Sequence, residues 1–309
     1  MKRILLATAG VAVIAVVAAT LGSAKTTAAT TTGPTNAKAS AATVLPKLPA
    51  NISSRKRLIV GVKCDTPPFG YIDVRGKHAG VDVEIAKWFA RYAFGREQRL
   101  TFVCAPTAVR EPLLTNGRVD MVISTFTYTS DRDTRIDFSR AYYKASGRLL
   151  VKNTSPIQKL SDINGKRVAT TSGSVYDRWM KRCFSGTSVV VTDSVTNAVL
   201  AFNQGRADAV MFDDTSLALI AATDPQAKLT DDIFQEGPYG IGIKQGNVQL
   251  KRWIDARLNL MKQKDLFLPI IKNNIAPRFV PAFSKNILRP NNNFGYRAAG
   301  LPSLDTVCP

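Results

Sequence analysis

Short apolar, β-branched runs alternate along the chain with segments in which apolar residues recur at helical spacing. The runs LIVGV (58–62), LTFVC (100–104), DMVIS (120–124), RVATT (167–171), SVVVT (188–192) and DAVMF (208–212) have the length and composition of strands. Between the first two, Val81, Ile85, Trp88, Phe89 and Tyr92 recur with the period of a helix. Asp82 and Glu84 fall in its first turn, where the helix dipole favours anions. Strands alternating with helices predict the α/β class, with mostly parallel sheets covered by helices on both faces. The pattern occurs twice, once before residue 145 and once after it. AYYKASGRLLVKN (141–153) and Tyr239–Ile243 read as extended crossovers, the second leading into a helix in LKRWIDARLNLMKQK (250–264). Two crossings imply two lobes on a hinge, with a cleft that closes over a small ligand and strengthens every polar contact within it. The expected organisation is a first lobe from 57–144 and 239–309, the latter including a tail from Asn273 that has no assignment, and a second lobe from 145–238.

The start of the chain changes the picture of where this happens. Met1, Lys2 and Arg3 precede an apolar run from Ile4 to Leu21 that closes on Gly22, Ser23 and Ala24, the layout of a secretory signal. The run also approaches the roughly 17–25 residues of a membrane span, so residues 1–24 are a signal peptide or a membrane anchor. No cysteine follows the run before Cys64, which removes the thiol that a lipid anchor would need. Residues 25–56, rich in Ala and Thr, hold too little apolar surface to fold and read as a disordered linker. The folded part is expected in the periplasm or on the outer face of the cytoplasmic membrane, as a monomer.

Four cysteines in an exported chain invite disulfides, and their wide spacing lacks the paired look of a metal site, so no metal or cofactor is expected. Cys64 and Cys104 each close a strand, and neighbouring parallel strands would bring them together; two buried thiols are the alternative. Cys183 with Cys308 would be the second pair. Lys and Arg exceed Asp and Glu by 19. That excess attracts anions. It is spread along the chain without an aromatic platform or a nucleic-acid motif, so it reads as a solvated basic surface and not a nucleic-acid interface. The single histidine, His78, sits in VRGKHAG, which reads as a turn, and no GxSxG, HExxH or Walker lysine is present.

An ordered series of segments carries a family resemblance. It comprises Pro67-Pro68-Phe69-Gly70-Tyr71, Gly80 to Ile85, Pro112-Leu113-Leu114 with Gly117 to Asp120, Thr125 to Arg132, and Ile136 to Ser139 with Ala141-Tyr142-Tyr143. Leu160 to Gly165, and Gly205 to Val210 with Asp213, complete it. In that order, behind a signal sequence, these segments resemble the extracellular solute-binding proteins of amino-acid ABC importers, family 3. The resemblance implies the two-lobed type II periplasmic-binding-protein fold, a free amino acid as ligand, an ABC permease as partner, and no enzymatic activity. The same fold also serves receptors for membrane sensors and, in some relatives, dehydratase-like enzymes, and these are the alternatives.

A free amino acid presents a carboxylate and an ammonium, which need a planar cation and an anion. Arg132, just after Ser130 at an expected helix start, suits the first. The resemblance gives its guanidinium to the α-carboxylate, helped by Thr125 and Thr127, with Ser174 and the N–H groups of Thr171–Ser174 closing from the second lobe. Asp213 matches the family carboxylate that accepts from the ammonium, with Asp214 beside it as the alternative and a plain helix cap as the other. For the side chain, many members place an aromatic residue where this chain has Thr66. The stretch TAVREPLL instead resembles that of glutamate and aspartate binders, so Arg110, Thr107 and Lys63 are expected to read a second carboxylate. Glutamate or aspartate is thereby favoured.

Overall fold

A computed structural model of the protein describes residues 45–290, 296 and 307–309. The signal or anchor segment and residues 25–44 of the linker lie outside the described residues. In chain order the strands are β1 (Leu58–Val62), β2 (Asp65–Thr66), β3 (Gly70–Ile72), β4 (His78–Ala79), β5 (Leu100–Cys104), β6 (Met121–Ile123) and β7 (Ile136–Phe138). They continue as β8 (Tyr143–Lys152), β9 (Arg167–Thr171), β10 (Ser188–Thr192), β11 (Ala209–Asp213), β12 (Ala227–Leu229), β13 (Phe234–Tyr239) and β14 (Gly242–Lys244). The helices are α1 (Ala50–Arg55), α2 (Val81–Phe94), α3 (Arg110–Thr115), α4 (Val175–Cys183), α5 (Val195–Asn203), α6 (Asp214–Thr223), α7 (Val248–Gln263), α8 (Phe267–Asn274) and α9 (Val280–Ser284). Among the described residues no helix is long and apolar enough to cross a membrane.

The apolar runs read from the sequence become strands of two sheets, with β5 and β10 at their edges. One has the order β5-β1-β6-β14-β7; the other runs β10-β9-β11-β8-β12, with β13 also paired to β8. Each sheet carries its own core. In the first, Val60, Ile85, Phe89, Trp253 and Ile271 are buried together; in the second, Leu150, Val168, Trp179, Phe202 and Val210 are. Two separate cores on one chain are what makes two lobes. The sheets depart from the mostly parallel expectation. β1 runs parallel to β5 and β6, and β9 parallel to β10 and β11, but β8, β12, β13 and β14 all pair antiparallel. These are the strands that carry the chain between lobes or return it to a sheet edge.

The crossings lie side by side. Tyr143 to Gly147 of β8 pair antiparallel with Phe234 to Tyr239 of β13, and Tyr142 N–H donates to Tyr239 O, so the hinge is a two-stranded ribbon. Two further expectations are corrected. The linker was expected to reach residue 56, yet Ala50–Arg55 is helical, because Ile52 buries its side chain in the first core. His78 is not in a turn but in β4, paired with Ile72. In the tail, which the sequence left unassigned, α9 and Ile287 pack on the first core, and Tyr296 stacks on Tyr128 at 4.0 Å between ring centroids. Both cysteine pairs form disulfides. Cys64–Cys104 closes the β1–β5 end at a Cα separation of 5.5 Å, and Cys183–Cys308 ties the chain end to α4.

Candidate functional site

The loop that leaves β6 builds the first wall. Thr125 adopts φ +43°, a left-handed conformation that a β-branched residue rarely takes. It is held there by Asp82 at the start of α2, whose buried Oδ2 accepts from Thr125 N–H at 2.7 Å while Oδ1 accepts from Tyr142 O–H at 2.8 Å. Asp82 therefore does more than favour the helix dipole. Burial pushes its carboxyl up to about 7, against the hydrogen bonds from Tyr142 and Thr125. Two residues on, Thr127 O accepts from Arg132 Nη1 at 2.8 Å, and Thr129 Oγ1 accepts from Arg132 N–H, so the loop wraps the arginine that follows it.

Arg132 opens a short 3-10 turn and is almost wholly buried. Its guanidinium lies 5.0 Å from the Phe126 ring centroid, and that of Arg110 lies 4.5 Å from the same ring. Arg110, at the start of α3, points inward rather than into solvent. Its Nε donates to Thr107 O, and its Nη1 to Ser124 O and Thr125 O. No partner for Nη2 is found among the described residues. Lys63, one residue past β1, is fully buried and donates to Thr107 Oγ1 at 2.5 Å. Burial, and then the charge of Arg110, lowers Lys63 to about 8. Burial likewise lowers Arg110 to about 10, and burial followed by the charge of Arg110 lowers Arg132 to about 9.

The second wall comes from the other sheet. Asp213 ends β11 and is buried, with Oδ1 accepting from Tyr176 O–H and Oδ2 from Tyr239 O–H, each at 2.7 Å. Burial raises its carboxyl, against those hydrogen bonds and the charges of Arg110 and Lys63. Asp214 turns away and accepts from Ser146 N–H on β8. Ser174 caps α4, its Oγ accepting from Asp177 N–H at 3.0 Å and lying 3.3 Å from Thr170 Oγ1. The expected free N–H groups of this turn are not free: Gly173 N–H donates to Asp177 Oδ2 and Ser174 N–H to Thr171 O, because the cap satisfies its own helix start. Thr125 and Thr171 are among the buried hydroxyls without a partner among the described residues.

The walls meet. Arg132 Nη2 donates to Gly173 O at 2.9 Å, joining the first lobe to the second. Gly173 has φ +71°, and a Cβ there would stand 2.9 Å from Ala108 Cα. Lys63, Thr107, Arg110, Thr125, Thr127 and Arg132 thus cluster on the first-lobe side of this junction, and the charge of Asp213 on the second lobe acts with those of Arg110 and Lys63. The pattern did not single out Phe126, Tyr142, Tyr176 or Tyr239 as site residues, and Asp82 was read only for the dipole. The Tyr239 position just before Gly240-Ile241-Gly242 was the available signal for the last tyrosine. The arrangement of metal-ligating type among the described residues, Cys64, Cys104 and His78, has both sulfurs joined to each other.

The junction presents cations from one lobe and a carboxylate from the other, the two charges that a zwitterion would need. The sequence profile of the bacterial extracellular solute-binding proteins, family 3, matches residues 58–273. The chain is 32% identical to the glutamine-binding protein GlnH of Bacillus subtilis over 72% of its own length and 82% of that protein. It is 26% identical to the glutamate-binding protein GluB of Corynebacterium glutamicum, covering 70% of this chain and 77% of that one. The crystal structure of a cysteine-binding protein from Campylobacter jejuni superposes with a TM-score of 0.71 at 26% identity, over 73% of this chain and 91% of that one. With two lobes on a two-stranded hinge and a polar crevice between them, the chain belongs to the bacterial extracellular solute-binding proteins of family 3, the amino-acid-binding components of ABC importers, and is not an enzyme.

Proposed function

We propose that the protein captures glutamate or aspartate outside the cytoplasmic membrane and presents its closed form to an ABC permease. Arg132, with Thr125, Thr127 and Ser174, receives the α-carboxylate; Asp213 receives the ammonium; Arg110, Lys63 and Thr107 receive the side-chain carboxylate. Residues 1–24 direct export, and the segment after them spaces the lobes from the surface.

The charge of the buried crevice carries the choice of ligand. Its buried ionisable side chains are Lys63, Arg110 and Arg132 with Asp82 on the first lobe and Asp177 and Asp213 on the second, and the partly buried Asp65 lies 3.8 Å from Lys63. Glu111, only partly buried, is shared between Arg132 and the exposed Arg135. Arg110 donates to carbonyl oxygens and makes no ion pair among the described residues, which leaves its positive charge without a paired anion. A dicarboxylic amino acid, net −1, neutralises it; glutamine leaves it in place and arginine adds another. An unpaired buried charge costs several kcal/mol. Burial is the largest cause that lowers all three cations, ahead of any neighbouring charge. Closure follows because the ligand's groups are shared between lobes, which stabilises the closed form over the open one.

A thermal-shift screen of the purified chain against the twenty amino acids tests the reading. A ligand at 100 times its Kd adds about 2.7 kcal/mol to the folded state. Glutamate or aspartate is expected to give the largest shift. A larger shift from glutamine, arginine or cystine, with none from the two acids, overturns the assignment.

A further inference from the structure

Lys63 and Arg110 come from different segments, and something must hold those segments at a fixed distance. The parallel ladder of β1 and β5 ends at Val62 opposite Cys104, with Ala105 N–H donating to Val62 O. Past that rung the chains separate. One continues through Lys63 and Cys64 into β2; the other turns through Thr107 into α3 and Arg110. The Cys64–Cys104 disulfide lies just beyond the last rung and joins them again. Lys63 is therefore bracketed, with a ladder residue on one side and a covalent bridge on the other. Its side chain is pressed from above by β3, where any Cβ on Gly70 would come 2.7 Å from Lys63 Cβ, and it ends on Thr107 Oγ1.

We propose that the Cys64–Cys104 disulfide is a positioning element for ligand selectivity: through Lys63 on one strand and Thr107 and Arg110 on the other, it fixes the spacing that accepts a second carboxylate. This rests on the acidic-ligand reading above. The α-carboxylate and ammonium groups are held elsewhere, by Arg132 and Asp213, whose supports are the 125–129 loop and two tyrosine hydroxyls. Loosening the bridge consequently affects the side-chain end of the ligand more than the other, which Arg110 reaches only through Ser124 O, Thr125 O and the Phe126 ring. The second disulfide provides a control, since Cys183–Cys308 binds α4 to the chain end and touches neither segment.

The experiment uses the full chain. Affinities for glutamate by calorimetry, and for glutamine by competition against bound glutamate, are compared in wild type, in Cys64→Ser/Cys104→Ser and in Cys183→Ser/Cys308→Ser. A subsite loosened by about 1 Å is expected to lose about tenfold in glutamate affinity in the first variant, with glutamine changed less than about twofold. The Cys183→Ser/Cys308→Ser chain keeps the wild-type ratio. Should the first variant not fold, a trialkylphosphine added to folded Cys183→Ser/Cys308→Ser opens the Cys64–Cys104 bridge alone and is expected to give the same fall. An unchanged glutamate-to-glutamine ratio on opening Cys64–Cys104, or an equal change on removing either bridge, overturns the proposal. Wild type that binds neither glutamate nor aspartate instead overturns the acidic-ligand reading beneath it.

Discussion

Replacing Arg110 by methionine keeps an aliphatic stem over Phe126 and removes the guanidinium whose Nη2 has no partner among the described residues. Two consequences separate cleanly. The three carbonyls of Thr107, Ser124 and Thr125 lose their donor, which lowers stability whatever the ligand. The bound side-chain carboxylate is left with Lys63 alone in a site where Arg110 is about 4% exposed. Truncating one partner of a buried, hydrogen-bonded charge pair costs about 2–5 kcal/mol, equivalent to roughly 30-fold to several-thousand-fold in Kd. Glutamine, whose amide carries no charge, is expected to lose less than about 1 kcal/mol, the scale of a neutral hydrogen bond. Calorimetric titration of Arg110→Met with glutamate, aspartate and glutamine measures the difference directly, and the glutamine value absorbs any general loosening. Equal weakening of all three ligands, or unchanged glutamate affinity, would refute the assignment of Arg110 to the second carboxylate.

Asp213→Asn keeps an acceptor for one tyrosine hydroxyl but removes the charge opposite the ammonium, so it is expected to weaken every free amino acid alike, by about 2–5 kcal/mol, as read by the same titrations. Because Lys63 loses its proton near pH 8, glutamate affinity is expected to hold to that point and then fall by up to about tenfold per pH unit, with glutamine much flatter. Parallel profiles for the two ligands would contradict this. Asp82, raised from 3.8 to about 7, keeps its proton in the folded chain where the unfolded chain has released it. Its contribution to stability is therefore full below about pH 4 and is lost as pH rises through about 7. Urea titrations at several pH values should show that limb in wild type and a flatter one in Asp82→Asn.

The parts of the fold legible in the sequence are those set by local pattern. The runs at 58–62, 100–104, 167–171 and 188–192 are strands with those bounds; 58–62 and 167–171 are largely buried, whereas the edge strands 100–104 and 188–192 were legible from their β-branched and apolar residues. Strand direction is not a local property, so nothing in β8, β13 or β14 announced that they would pair antiparallel. α1 escaped notice because one buried side chain, Ile52, anchors an otherwise polar turn. At the site, charged residues in loops after strands were visible, since a cation or carboxylate placed there calls for a partner. Tyr176, Tyr239 and Tyr142 were not, because a tyrosine's sequence context does not tell whether its hydroxyl will meet a buried carboxylate.

Gly173 deserves a last consequence. A methyl group at that position would meet Ala108 across the junction at 2.9 Å and would also strain the backbone at φ +71°. Gly173→Ala should act as a doorstop: the arginine and aspartate still find their ligand, but the jaws stop short of contact. Small-angle scattering would then report the same envelope with and without amino acid, while wild type contracts. Capture and announcement would become separate events, giving a carrier that holds its cargo yet never takes the shape its importer reads.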